Sequence, residues 1–571
     1  MERLTTLAEE WLKLDQNPAT RAEIQQLLDD KNEAELELRL GSRISFGTAG
    51  LRARMEAGFS RMNTLTVLSA SQGLAEYLKT QHASPSIVIG HDHRHNSEEF
   101  ARLTACAMLS RGIKVFYYDG LVHTPLVPFG VRMLNANAGV MITASHNPAK
   151  DNGYKVYAGN GCQIIPPMDS AIAEAIVNNS VPTVWDRELV DRESKLVERP
   201  VERVRKAYHE AVASLVANST TEEGERLLGK GIVYTPLHGV GLAPMAEAVS
   251  NFPDIKFHPV PSQQQPNPDF PTVSFPNPEE KGALDLAIEH ARQIGVPLIL
   301  ASDPDADRFS AAEKVGDTYY VFTGNELGVL FAAWTLHRHL STNRPITDLK
   351  MLASTVSSQM LKTMASIEGF IYEETLTGFK WLGTRGLAIS AAYAFEEAIG
   401  FMFAPVVYDK DGIAAAVSFL SMVKEWGSPY AKLQELYKKY GYFQSANSYL
   451  VSPSPATTKE VFEKVRENRP QKVGGRRITW WRDLTVGVDT REVGEKPTLP
   501  VDPKSEMITV ELEGEVRVTV RGSGTEPKVK MYIECRASSP EEALKGAKEV
   551  EAALIREWFR PEESGLIVPG N

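Results

Sequence analysis

Cysteine is nearly absent from this sequence: among 571 residues there are three, Cys106, Cys162 and Cys535, far apart and odd in number. That excludes a disulfide framework and a cysteine-based metal cluster, and it suits a reducing compartment. Buried structural thiols are the expectation for all three. A continuous run of about 20 apolar residues is also missing, so no segment reads as a membrane-spanning helix. The opening stretch MERLTTLAEEWLKLDQNP carries acids early and lacks the apolar centre of a signal peptide, which leads to a cytoplasmic expectation. Positive charge is short as well: 62 Lys and Arg against 73 Asp and Glu leave a formal charge of -11. Nucleic acid and anionic membrane both reward basic surface, so neither is an expected partner. A locally basic cleft for a small anion stays compatible with this balance.

The chain is too long for one hydrophobic core, and its length suggests three or four domains. Residues 3–40 read as helices, with Leu4, Leu7, Trp11 and Leu12 at helical spacing. From about residue 86 short apolar runs end in Gly, Asp, Ser or His and alternate with amphipathic stretches. They are 86–90, 114–118, 139–143, 231–235, 297–302, 350–355 and 393–396. Such runs predict strands of α/β units with both sheet faces covered, and the loops beyond the strand C-termini are where a site would be built. After about residue 445 the runs alternate, at 449–452, 478–484, 507–512, 516–521 and 529–535, with a closing helix at 540–557. That predicts an α+β C-terminal domain.

Four strand-end loops carry chemistry. Thr143-Ala144-Ser145-His146-Asn147-Pro148 follows the strand GVMIT and can offer the Ser145 hydroxyl to a cleft, beside backbone N–H groups suited to an anion; a plain polar turn is the other reading. Asp303-Pro304-Asp305-Ala306-Asp307-Arg308 ends the strand PLILAS. Three carboxylates at alternate positions repel strongly and call for a cation, and hard oxygen ligands suit Mg²⁺; a solvated acidic loop is the alternative. Arg308 adjoins them and is a candidate to hold a phosphate or the serine loop. Arg521-Gly522-Ser523-Gly524-Thr525-Glu526-Pro527-Lys528 reads as a phosphate cradle flanked by cations, although hairpin turns use the same residues. Glu396 and Glu397 in FEEAIG are acceptors for sugar hydroxyls or surface acids. His91-Asp92-His93-Arg94-His95 has no further ligands at metal spacing and reads as a strand-end loop with ion pairs.

In this order the loops resemble the α-D-phosphohexomutase superfamily, and more closely its phosphoglucomutase/phosphopentomutase branch, which includes glucose-1,6-bisphosphate synthase. The resemblance runs nearly end to end through WLKLDQNPAT, FGTAGLR, TASHNPAKDNGYKVY, YTPLHGVG, FPNPEEKGAL, DPDADR, TGFKWLG, FEEAIG, DKDG and RGSGTEPK. It implies three related mixed α/β domains and a C-terminal α+β domain around a central cleft, with divisions near 1–215, 216–325, 326–445 and 446–571. It also implies interconversion of sugar 1-phosphates with 5- or 6-phosphates of ribose, deoxyribose or glucose. The cofactors implied are Mg²⁺ and glucose 1,6-bisphosphate as activator and intermediate. The partners implied are small sugar phosphates, met by a monomer or weak dimer.

By the same resemblance Ser145 carries the phosphoryl group and joins Asp303, Asp305 and Asp307 on the metal. His146, Lys155, Arg52 and Lys410 belong to the catalytic set. Arg308, Thr377, Lys380, Glu396 and Glu397 meet the sugar phosphate, and Arg521, Ser523, Gly524, Thr525 and Lys528 hold the non-reacting phosphate. One of Lys155 and Lys410 is expected to take the hydroxyl proton, which requires a lowered lysine pKa. The typical sugar loop has a small polar residue after its two glutamates; Ala398 and Ile399 stand there instead.

Overall fold

The computed structural model describes residues 1–46, 50–193, 195–523 and 527–569. They form two compact units, Met1–Ser341 with Gly378–Tyr430, and Thr342–Thr377 with Ala431–Asn571.

The first unit opens with helices Glu2–Leu14, Pro18–Asp29 and Glu33–Leu40. The second and third start where Asn17 and Asn32 accept the backbone N–H of Ala19 and Glu35, and Pro18 occupies the first helical turn. Their apolar stripes close on Trp11, which is fully buried with its ring edge-on to Phe59 at 5.2 Å.

Next comes a six-stranded sheet in the spatial order Gly50–Arg54, Asp151–Ala158, Ala138–Ile142, Ser86–His91, Lys114–Tyr117, Val197–Glu198. The last four are parallel and the first two antiparallel. Ile87 and Ile89 join a core with Val67, Leu74 and Phe100, while Val88 is equally buried on the opposite face. Covering both faces explains why these strands read as continuous apolar runs. The register aligns His91 with Ile142, so the loops after these two strands leave the sheet side by side.

A five-stranded sheet follows, ordered Thr318–Val321, Phe309–Val315, Leu298–Ser302, Ile232–Thr235, Phe257–Pro259. Its last three strands are parallel, and Phe309–Val315 returns antiparallel against Leu298–Ser302 after the acidic loop. The hairpin Tyr393–Glu396 and Gly400–Phe403 carries Glu397–Ile399 at its turn, with Ile399 at φ 51°.

In the second unit, Lys350–Ser354 and Ile371–Thr375 pair in parallel, with helix Met360–Glu368 between them in sequence. Its C-terminal part is an antiparallel sheet whose long strands are Arg476–Asp483, Met507–Leu512, Val516–Gly522 and Lys528–Ala537, with short strands at its margins. Lys528–Ala537 alternates buried and half-buried positions, the period-two pattern of a sheet with one face on a core. Helix Pro540–Leu554 covers that face through Ala547, Val550 and Leu554.

Strands Gly50–Arg54, Asp151–Ala158, Phe309–Val315 and Gly400–Phe403 stand outside the sequence expectation. Each is an antiparallel return strand beside a polar loop, so its signal merges with the motif next to it.

Candidate functional site

Strand Ala138–Ile142 delivers the serine loop. The Ser145 amide donates to Thr143 Oγ1 at 2.9 Å, a local turn that competes with continued strand pairing. Ser145 itself sits at φ 53°, in the left-handed region that a residue with a Cβ rarely adopts, and it is buried. Its Oγ donates to Asp303 Oδ2 at 2.8 Å and lies 3.4 Å from His146 Nδ1. Burial first, then Arg308 and Arg52, push the His146 imidazole well below its usual range, so it is neutral at pH 7.

Asp303, Asp305 and Asp307 are fully buried, and one oxygen from each lies within 4.8 Å of the others. Among the described residues this is the sole group of three or more His, Cys, Asp or Glu so arranged. Lys155 Nζ lies 2.6 Å from Asp305 Oδ2 and 2.8 Å from Asp307 Oδ2, and Lys410 Nζ lies 3.3 Å from Asp307 Oδ2. The Arg308 amide donates to Asp303 Oδ1 at 3.0 Å.

Three acids thus face three cations, and the distribution is uneven. Burial drives all three carboxyls upward; Lys155, Lys410 and Arg308 outweigh it at Asp307. Asp303 ends well above the usual range, through burial and then its two acidic neighbours. Burial favours neutral lysines too, but the adjoining carboxylates prevail and raise both Lys155 and Lys410. The lowered lysine pKa expected for a proton acceptor is therefore absent here: both lysines are ammonium groups. Lys155 also supplies part of the counter-charge that the acidic loop demanded.

Among the described residues, Asp305 Oδ1 and Asp307 Oδ1 are buried without a hydrogen-bond donor, a costly state for carboxylate oxygens. Together with the Ser145 hydroxyl, these hard oxygens fit a metal cation.

Neighbouring segments hold the centre in shape. Thr124 binds Asp305 twice, its N–H to the carbonyl at 2.9 Å and its hydroxyl to Oδ2 at 2.5 Å. Lys410 is carried by a loop whose flanking acids are tied elsewhere. Gln163 Nε2 donates to both oxygens of Asp409 at 3.1 and 2.8 Å, and the Tyr208 hydroxyl lies 2.7 and 2.9 Å from those of Asp411. Asp411 also caps helix Gly412–Trp426 through the Ile413 and Ala414 amides. Gly412 is required: its N–H donates to Ala306 O at 3.2 Å, and a Cβ there would lie 2.4 Å from Arg308 O. Arg52 Nη1 donates to Asn147 Oδ1 at 3.1 Å, tethering the first strand to the serine loop.

Glu396 accepts the Gly378 amide at 3.2 Å and lies within the electrostatic reach of Arg308 and Lys410. Glu397 follows it at the hairpin turn, and Lys380 is buried with Nζ 5.2 Å from the Trp381 ring. In the second unit Arg521 Nη1 donates to Thr377 Oγ1 at 3.0 Å. The Ser523 amide donates to Lys528 O at 2.8 Å, closing a hairpin, and Lys528 Nζ lies 4.4 Å from the Tyr449 ring centre. Gly524 and Thr525 lie outside the described residues.

Thr124, Gln163 and Tyr208 escaped the sequence reading. A lone Thr-Pro, Gln or helical Tyr has no local signature, since each acts on a loop distant in sequence.

Three family models match the chain, described as phosphoglucomutase/phosphomannomutase α/β/α domains I, II and III, at residues 43–182, 206–316 and 323–440. Among curated relatives, the phosphoribomutase of Saccharomyces cerevisiae is 46% identical, over 98% of this chain and 96% of its own. The human phosphopentomutase is 40% identical over 99% and 97%, and the human glucose 1,6-bisphosphate synthase 39% identical over 99% and 96%. Among solved structures, the open form of the Paramecium phosphoglucomutase pp63/parafusin aligns with a TM-score of 0.67 at 17% identity, over 93% of this chain and 98% of its own.

Proposed function

Since this chain belongs to the phosphoglucomutase/phosphomannomutase family and is a sugar phosphomutase, we propose that it interconverts the 1- and 5-phosphates of ribose and deoxyribose, and the 1- and 6-phosphates of glucose, through a phosphorylated Ser145. The observation that carries this reading is the buried Ser145 Oγ set 2.8 Å from Asp303 Oδ2, at the edge of the three-acid loop. Small sugar phosphates are its partners on this reading. The inclusion of pentose phosphates draws on the relatives named phosphoribomutase and phosphopentomutase, and on Ala398 and Ile399 in the sugar loop.

The chemistry is phosphoryl transfer in two halves, which depends on position and charge more than on covalent activation. In the first, the bond from phosphorus to Ser145 Oγ breaks and a bond to the free sugar hydroxyl forms. The sugar loses a proton, Ser145 regains one, and a sugar bisphosphate results. The second half runs in reverse with the other phosphoryl group, which returns to Ser145. Asp303, Asp305 and Asp307 would hold Mg²⁺, which withdraws charge from the transferring group.

The chain's own residues supply the rest. Lys155 and Lys410, both ammonium, face the negative charge gathering on the phosphoryl oxygens. The hydrogen bond to Asp303 fixes the direction of the Ser145 oxygen. Thr377, Glu396 and Glu397 contact the sugar, while Arg521, Ser523 and Lys528 hold the phosphate that is not reacting.

Incubation with glucose 1,6-bisphosphate followed by intact-mass analysis tests the scheme. The wild-type chain should gain one phosphoryl group, whereas Ser145→Ala should gain none and lose turnover of ribose 1-phosphate. Full turnover by the alanine variant refutes it.

A further inference from the structure

The serine loop is held by a residue that the mechanism does not use. Arg94 lies in the loop after strand Ser86–His91, which the sheet register sets beside the loop after Ala138–Ile142. The residue is buried, and the two terminal nitrogens of its guanidinium are given to backbone carbonyls of the serine loop and the strand after it. Nη2 donates to Ser145 O and Asn147 O, each at 2.6 Å; Nη1 donates to Pro148 O at 2.9 Å and Asp151 O at 3.2 Å.

Arg94 is itself oriented from behind. Asp92 Oδ2 lies 3.4 Å from Nε, and Asp92 Oδ1 accepts the Arg94 amide at 3.0 Å and the Ser97 hydroxyl at 2.6 Å. Asp92 sets the direction of the fork, while the Phe270 ring only covers one face of it, with the guanidinium carbon 4.9 Å from the ring centre.

This arrangement answers a conformational problem. At φ 53° Ser145 occupies a sparsely populated backbone state, which persists only where the surroundings over-determine it. Four carbonyls of the Ser145–Asp151 segment converge on this guanidinium; Pro148 O also accepts the Asp151 amide at 3.0 Å, and any carbonyl left with no donor would cost a hydrogen bond. A planar fork with two terminal nitrogens matches four carbonyls; a lysine ammonium, a point donor on a flexible stem, does not. We propose that Arg94 is a positioning residue for phosphoryl transfer, holding the strained serine loop so that Ser145 Oγ meets the acidic loop. The inference rests on the reading of Ser145 as the phosphoryl carrier.

The test compares the full-length wild type with Arg94→Lys, Phe270→Leu, Asp92→Asn and Ser145→Ala. Each is mixed with glucose 1,6-bisphosphate, quenched at intervals and weighed intact, and the KM for ribose 1-phosphate is measured alongside. Arg94→Lys should slow phosphorylation of Ser145 roughly 100-fold, the scale of a 1 Å misplacement, with KM within about threefold of wild type. Phe270→Leu removes the stacking face but leaves the carbonyl contacts, so it should transfer at the wild-type rate. Transfer by Arg94→Lys at the wild-type rate, or equal slowing by Phe270→Leu, overturns the positioning role while leaving Ser145 as carrier. Uptake of the phosphoryl group by Ser145→Ala overturns the underlying reading instead. Should Arg94→Lys fail to give a native circular-dichroism spectrum, Asp92→Asn decides: slower transfer at unchanged KM upholds the role, and unchanged transfer rejects it.

Discussion

Replacing Glu374 by Gln should loosen the second unit by an amount that its geometry sets. Glu374 lies in strand Ile371–Thr375 with its side chain 14% exposed, and two arginines from the C-terminal sheet converge on it. Arg482 Nη1 approaches Oε1 at 2.7 Å and Arg517 Nη2 approaches Oε2 at 2.6 Å, while the Thr355 hydroxyl donates to Oε1 at 2.8 Å. Burial alone would raise this carboxyl, but Arg517 and then Arg482 outweigh it and hold it at about 2 instead of 4.5. That difference corresponds to about 3 kcal/mol favouring the charged, folded state. A second route gives the same scale, because removing one member of a buried ion pair costs about 3–5 kcal/mol.

A depressed carboxyl stabilises fully above its unfolded pKa, near 4.5, and loses that contribution as pH falls through about 2. Native-state hydrogen exchange on Lys350–Ser354 and Ile371–Thr375 reads the effect locally, without assuming two-state unfolding of a chain of this length. At pH 7 Glu374→Gln should exchange there roughly 100-fold faster than wild type. The ratio should shrink as pH falls below 4 and approach one near pH 2. Equal protection at pH 7, or a ratio independent of pH, refutes the assignment of this stability to the ion pairs.

Arg521→Ala should raise the KM for sugar phosphate at least tenfold while Ser145 still accepts a phosphoryl group from glucose 1,6-bisphosphate; an unchanged KM in steady-state assays counts against the cradle. Chelation with EDTA should abolish turnover and added Mg²⁺ restore it. Mg²⁺ should also raise the thermal midpoint of the wild type but not that of Asp305→Asn, as scanning calorimetry can show.

Much of this architecture is legible in the chain because buried strands of an α/β sheet are short apolar runs, and Ala138–Ile142 and Leu298–Ser302 each end in a motif. The polar groups of a site follow the strand that presents them, so Ser145 and Asp303–Asp307 stand out together with their supports. Antiparallel return strands are less visible. Asp151–Ala158 must carry Asn152 and Lys155 as well as Val156, and its polarity belongs to the site, not to the fold. The upward shift of both lysines is likewise not legible in the sequence. A sequence shows lysines near a phosphate loop, but their charge depends on Asp305 and Asp307, which only the packing brings within 4 Å.

Dependence on packing is what makes the centre an assembly instead of a motif. The acidic loop has fully buried carboxylates, and its own segment offers one cation, Arg308. Lys155 arrives from the six-stranded sheet, and Lys410 from the loop before helix Gly412–Trp426. Each newcomer is anchored at a point remote from the acids: Lys155 by strand register opposite Met141, Lys410 by the ties from Asp409 to Gln163 and from Asp411 to Tyr208. If any one of these three segments is displaced, the buried acidic loop loses one of the three cations that offset the charge of Asp305 and Asp307 in a site of low polarity. The resulting repulsion exceeds what a single hydrogen bond restores. A dianionic phosphoryl group arriving beside Asp305 and Asp307 adds negative charge that a further cation would offset. The unpaired oxygens Asp305 Oδ1 and Asp307 Oδ1 are the places where the described residues leave room for that charge to be met.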